Sequence, residues 1–141
     1  MKSKACALLM LSTQLVFGQS QSNLTLKLLF AFGSKGDQPG QFQTPAGIST
    51  DIKGNIYVAD TGNHRIQKFD SRGHLLKFMG GFGWGSGQFQ RPTDLCAENV
   101  LDVFVADYEN NRIERYDKDL NWITSYRSRE ENPDNLRFAF P

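Results

Sequence analysis

The side chains able to do chemistry are few and scattered. Histidine occurs at His64 and His74 only. Two lone histidines without a third ligand at metal spacing do not make a zinc site. Of the two cysteines, Cys6 lies in an apolar N-terminal segment, which leaves Cys96 without a disulfide partner or a cysteine metal cluster. No base stands beside Cys96 in sequence, so it is expected to be a small core residue rather than a nucleophile. Asp60 and Asp107 each precede an arginine, Arg65 and Arg112, across a turn. An aspartate there accepts turn N–H groups or pairs with the arginine, a structural role rather than a catalytic one. The glycine-rich run 80–87 lacks the Lys-Ser/Thr of a phosphate loop and no helix follows it, so it is a turn-rich connection. Lys68, Arg72, Arg112 and Arg115 alternate with acids, which gives nucleic-acid binding little electrostatic support.

These residues sit in a repeat. Residues 55–70 (NIYVADTGNHRIQKFD) align without a gap with residues 102–117 (DVFVADYENNRIERYD). Val58, Ala59, Asp60, Asn63, Arg65, Ile66 and Asp70 recur as Val105, Ala106, Asp107, Asn110, Arg112, Ile113 and Asp117. At the same offset of 47 positions, from Pro45 to Pro92, Gly40, Gln41, Phe42 and Gln43 recur as Gly87, Gln88, Phe89 and Gln90. Leu28, Leu29 and Gly33 likewise fall on Leu75, Leu76 and Gly80. Residues 138–141 (FAFP) echo 42–45 and 89–92, which places the start of a third copy there.

Short apolar runs between Gly, Pro, Asn and Asp turns are strands. They are expected at 24–32, at 46–51 and 93–98 after each proline, and at 56–59, 65–69 and 75–79 in the first copy. In the second copy they are expected near 104–106, 112–116 and 122–126. Beyond the N-terminus no window carries a helical apolar stripe between caps. Four strands per unit of 40–50 residues is the arithmetic of a β-propeller blade. The fold class is therefore all-β: two complete blades of four antiparallel strands and a flanking outer strand.

Composition bounds the rest. The chain of 141 residues has a formal net charge of +1, plentiful aromatics and frequent glycine. That excludes a disordered tail and a polybasic arm. No apolar run reaches the length needed to span a bilayer. Lys2 and Lys4 precede the mostly apolar stretch 5–17, and Val16-Phe17-Gly18 suits a signal peptidase. Residues 1–18 are thus expected to be a secretory leader, followed by a polar lead-in at 19–23. Asn23-Leu24-Thr25 fits the glycosylation acceptor pattern, a weak match.

V-A-D-T-G-N-H-R-I-Q-K-F at 58–69, preceded by G-Q-F-x-x-P-x-G-I at 40–48, resembles the NHL repeat. The resemblance covers residues 24–141: an outer strand at 24–35, repeats at 36–82 and 83–131, and the beginning of another at 132–141. Arg65 and Arg112 stand where the name has Leu, Asn111 replaces the His, and Asp94 replaces Gly47. The resemblance implies a closed propeller of about six blades, with the remaining blades supplied in cis; assembly of several copies into a ring is the alternative. With the leader, it implies a secreted or periplasmic protein of bacterial type.

Alternate connections of a four-stranded meander emerge on the same side, so the loop between blades and the loop after each second strand should share one face. That face would collect Phe82 and Trp84 with His64, Tyr108 and Asn111. Flat apolar area beside hydrogen-bonding groups suits a protein, peptide or glycan. Asp94, on the strand nearest the channel, would bind a cation or polar ligand there or cap a loop. The leading expectation is a binding scaffold without catalytic residues, cofactor or metal. A propeller lyase or hydrolase with a channel metal is the alternative. Asp51, Asp94 and Glu98 alone do not furnish such a site, so it would lie mostly in further blades. RNA binding, a third possibility, is opposed by the leader and the neutral charge.

Overall fold

The computed structural model of the chain describes residues 8–12, 27–99 and 101–127. The expected cleavage site after Gly18, the acceptor Asn23 and the third-repeat start at 132–141 lie outside the described residues.

The described chain is all strand and turn. β1 (Leu8–Ser12) and β2 (Lys27–Phe32) form a two-stranded antiparallel sheet. β3 (Gly47–Thr50), β4 (Ile56–Asp60), β5 (Arg65–Phe69) and β6 (Leu75–Gly80) form the first blade, paired in chain order. β7 (Pro92–Cys96), β8 (Asp102–Asp107), β9 (Arg112–Asp117) and β10 (Trp122–Arg127) form the second in the same order. All neighbours are antiparallel, as expected of tight hairpins. A single 3-10 turn follows the second strand of each blade, at Thr61–Asn63 and Tyr108–Asn110.

Aspartates build the hairpins at the other end. The Asp51 Oδ1 accepts the amides of Lys53 and Asn55, both at 2.9 Å. The Asp70 Oδ1 accepts those of Arg72 and His74, and the Asp117 Oδ1 those of Asp119 and Asn121. A carboxylate oxygen bonding its own backbone two and four residues on is the reason Asp is favoured at such turns. All three turns reach a left-handed residue, Gly54 at φ 80°, Gly73 at φ 84° and Leu120 at φ 58°. A Cβ on Gly73 would lie 2.7 Å from the Phe32 Cβ. Leu120 instead has room for its side chain, which is buried in the core between the blades.

Two apolar layers hold the molecule together. Phe42, Ile56, Val58 and Phe69 on one side of the first blade are covered by Phe30 and Phe32 of β2. Tyr57, Ala59 and Ile66 on its other side meet Phe89, Leu95, Val103, Val105 and Tyr116 of the second blade, with Leu120 and Met79. β4 and β5 are therefore buried at every position, the double coverage expected from their continuous apolar runs. β8 and β9 alternate buried and half-buried residues, because only one side of the second blade is covered among the described residues. The innermost strands β3 and β7 touch. A Cβ on Gly47 would lie 2.7 Å from the Cα of Asp94 and 3.0 Å from the Thr93 carbonyl oxygen. Blades fanned about an inner edge, sheet face against sheet face, are the architecture of a β-propeller.

Candidate binding face

The interblade loop and the turn after the second strand are joined by a buried polar network, built the same way in both blades. The Asp60 Oδ1 accepts the Gln43 amide at 2.7 Å. Its Oδ2 accepts from Asn63 Nδ2 at 2.8 Å and from Arg65 Nε at 2.8 Å. The Arg65 guanidinium then donates to the carbonyls of Asp37, Gln38 and Gln41 at 2.7–2.9 Å. In the second blade, Asp107 accepts from the Gln90 amide, Asn110 and Arg112, all at 2.7–2.8 Å. Arg112 donates to the carbonyls of Trp84, Gly85 and Gln88 at 2.8, 3.1 and 2.6 Å. Asn63 and Asn110 each reach a glycine carbonyl, Gly36 and Gly83, at 2.9 Å. The aspartates thus have the structural role expected of them, with one addition. The amide each accepts from the loop is the one after the repeated Phe, and the arginine is the clamp that fixes that loop. Only a planar fork with several donors can satisfy converging carbonyls in this way, which explains Arg where the family name has Leu.

One position differs inside this network. Gln67 donates to the Asp60 carboxylate and the Gln41 carbonyl and accepts the Gly40 amide. Its counterpart Glu114 is a buried anion that pairs with Arg112 at 2.8 Å and accepts the Trp122 indole N–H at 2.6 Å. No sequence signal distinguished these roles, since the two side chains are nearly isosteric.

The face carried by this network holds a row of aromatic rings. Phe82 and Trp84 are 57% and 63% exposed. Their centroids are 5.6 Å apart with an interplanar angle of 69°. His64 stands edge-on to Phe82 at 5.2 Å. The two loops are therefore brought together: the Gly81 amide donates to the His64 carbonyl at 2.8 Å, and the His64 Nδ1 accepts the Arg91 amide at 3.1 Å. Tyr108 lies at the corresponding turn of the second blade, 42% exposed. Asn111 occupies the left-handed position there at φ 49°, as His64 does at φ 53° in the first. The side-chain types suit that backbone, since Asn and His tolerate positive φ better than most residues. Asp94 is not part of this row. It lies on inner strand β7, where its Oδ1 accepts the Leu95 amide at 2.8 Å.

The positions where the copies disagree have a common meaning. In the first blade Thr61, Gly47 and His64 all contact the second. The Thr61 Oγ1 donates to the Pro92 carbonyl at 2.6 Å, Gly47 makes room for Asp94, and His64 accepts from Arg91. Their counterparts Tyr108, Asp94 and Asn111 are exposed. Cys96 differs from expectation. It is an exposed free thiol rather than a core residue, because its side of β7 does not face the first blade.

A second polar cluster lies at the opposite end, where the hairpin turns meet. The single Tyr57 hydroxyl proton is shared between two acceptors, the Asp51 Oδ2 at 3.2 Å and the Lys118 carbonyl at 3.0 Å, and the Lys68 Nζ donates to the same carbonyl at 2.6 Å. The Lys118 Nζ donates to the carbonyls of Ala97 and Asp102. Burial, then the nearby Asp51 charge, pushes the Tyr57 phenol well above its ordinary value. Burial lowers Lys118 despite its acidic neighbours. Burial would raise Asp51, but hydrogen bonds led by those from Asn55 outweigh it and hold the carboxyl below the usual range. The Lys68 ammonium crosses to the second blade, whereas the hydrogen bonds of Asp51 and of the Lys118 Nζ stay within their own blades. No group of three or more metal-binding side chains occurs among the described residues, and no described helix is long and apolar enough to cross a membrane.

This geometry defines an all-β propeller segment with a rigid loop face. The NHL repeat family matches residues 42–69 and 89–116, which run from the loop Phe to the third strand of each blade. Each blade thus contains one segment that matches the NHL repeat. It is similar to the B-box type zinc finger protein ncl-1 of Caenorhabditis elegans, 42% identical over 44% of this chain and 8% of that protein. It also resembles the protein brain tumor of Drosophila melanogaster, at 48% over 36% of this chain and 5% of that one, and the human E3 ubiquitin-protein ligase TRIM32, at 44% over 30% and 7%. The matched region spans less than a tenth of the length of each of these relatives. Among solved structures, a calcium-binding protein, regucalcin, from Agrobacterium tumefaciens aligns with 75% of this chain and 34% of its own, at 20% identity and a TM-score of 0.47.

Proposed function

We propose that the chain is part of a binding scaffold, a propeller of about six blades that takes a protein or peptide partner on the face bearing Trp84. The observation that supports this most is the His64–Phe82–Trp84 row. Two large, mostly exposed rings project from a loop whose carbonyls are held by the buried Arg112. Exposed aromatic area on a rigid support loses little conformational entropy on binding, which is what makes such residues binding anchors. The relatives named as ubiquitin-protein ligases act on protein, in keeping with a protein partner.

The test places a photocrosslinking amino acid at Trp84, and separately at Ile52 on the turn at the far end, in the full-length protein within its native cells. Crosslinks to one defined protein from position 84 and not from 52, lost when Phe82 is also replaced by Ala, are the expected result. Equal labelling from both positions would refute the proposed face.

A further inference from the structure

The pairing of β1 with β2 repeats that of β5 with β6. Leu8 lies opposite Phe32, Leu9 opposite Ala31, Leu11 opposite Leu28 and Ser12 opposite Lys27. Moved by the 47-residue repeat, Phe32, Ala31 and Leu28 become Met79, Phe78 and Leu75. These are the partners of Ile66, Gln67 and Phe69 in the first blade. The irregularity is copied as well. Between Leu9 and Leu11 the partner moves from Ala31 to Leu28, three steps against two. Between Gln67 and Phe69 it moves from Phe78 to Leu75, again three against two. Even the end of the ladder corresponds. Lys27 becomes His74, whose carbonyl accepts the Asp70 amide, and Asp70 matches Ser12.

Two strands can pair in many registers, and most need no bulge. A bulge costs a ladder bond and bends the strand, so its recurrence at one position marks a designed element of a fold. We infer that Leu8–Ser12 is the third strand of a blade whose fourth strand is β2, and that it remains in the mature protein instead of being removed as the leader expected at 1–18. The segment satisfies both demands at the level of composition, because a short apolar run suits a buried strand as well as a leader core. Its role is to complete one edge of β2. β2 in turn covers the first blade: the Phe32 ring lies 4.9 Å from that of Phe69 and 6.1 Å from that of Phe42. Cleavage after Gly18 would return β2 to a bare edge beside this apolar layer.

The first measurement is the intact mass of the full-length protein purified from cells that process secretory leaders. A mature chain that still contains residues 8–12 is expected; a chain beginning after Ser12 overturns the inference. The second is amide hydrogen exchange over 27–32 in three full-length proteins: unaltered, Leu9→Pro and Met10→Pro. Successive N–H groups on a strand point to opposite edges. One of the two prolines must therefore remove a ladder bond to β2, and exchange at 27–32 should rise about tenfold in at least that variant. Unchanged exchange in both variants would also overturn it.

Discussion

Arg112 shows how much of this molecule rests on single buried side chains. Its guanidinium is paired with Asp107 and Glu114, all three nearly inaccessible, and holds three loop carbonyls. Removing one partner of such a group leaves buried charge uncompensated, at a cost of about 3–5 kcal/mol. Arg112→Ala should lower the unfolding free energy by that amount in chemical denaturation, and Arg112→Lys by about 2–3 kcal/mol, since lysine keeps the charge but loses the fork. Leu120 inverts a familiar ordering. At its positive φ, glycine relieves strain worth about 1 kcal/mol that alanine retains. Leu120→Ala and Leu120→Gly should both destabilise through loss of a buried side chain, but the glycine variant should be the more stable by about 1 kcal/mol. Melting both variants side by side decides it. The hairpin aspartates set the acid limit. Hydrogen bonds from the His74 backbone and side chain bring Asp70 down to about 2, and Asp51 and Asp117 are also lowered. A folded-state value below the unfolded one, about 3.9, means the charged form stabilises. That contribution is complete above about pH 4 to 5 and disappears as pH falls through the folded values. Thermal midpoints should be flat from pH 7 to about 5 and decline from about 4 to 2. An unchanged midpoint at pH 2 would contradict the assignment.

At the scale of elements, the close approach of β3 and β7 leaves no space at Gly47. Gly47→Ala would bring a methyl against the backbone of Asp94, which cannot swing aside, so the blades must part at their inner edge. A loss of about 1–3 kcal/mol is expected in denaturant melts, the range for overpacking. The strands should also exchange unequally. Amides of β4 and β5, covered on both sides, should outlast those of β8 and β9 in hydrogen exchange. Most of the architecture behind these statements was legible beforehand. The repeat placed every strand of both blades, and the turn residues placed their connections. A meander sends alternate loops to one side, which is why His64, Phe82 and Trp84 share a face. The repeat does not record which neighbour fills each position. Thr61 and Tyr108 occupy equivalent places, yet one is buried against Pro92 and the other is exposed. A one-dimensional repeat records that a position recurs, not what packs on it. Cys96 was misjudged for the same reason, its apolar character being a poor guide to which side of β7 meets the next sheet. The double role of the arginines was also hidden, because their carbonyl partners lie in a loop 24–28 residues earlier and carry no side-chain signature.

At the scale of the whole molecule, the two blades are successive copies of one packing event. Tyr57, Ala59 and Ile66 are fully buried by the second blade, while the matching Phe104, Ala106 and Ile113 are only half-buried. The clamp, by contrast, runs backwards along the chain: Arg112 secures Trp84, 28 residues before it. During synthesis the aromatic loop leaves the ribosome first and stays unfastened until the arginine follows. At about 5–20 residues per second, that interval is roughly 1.5–6 s. Each blade therefore finishes the loop behind it, and assembly has a direction. The surface bearing Trp84 becomes rigid only after the translation machinery has moved two full strands beyond it.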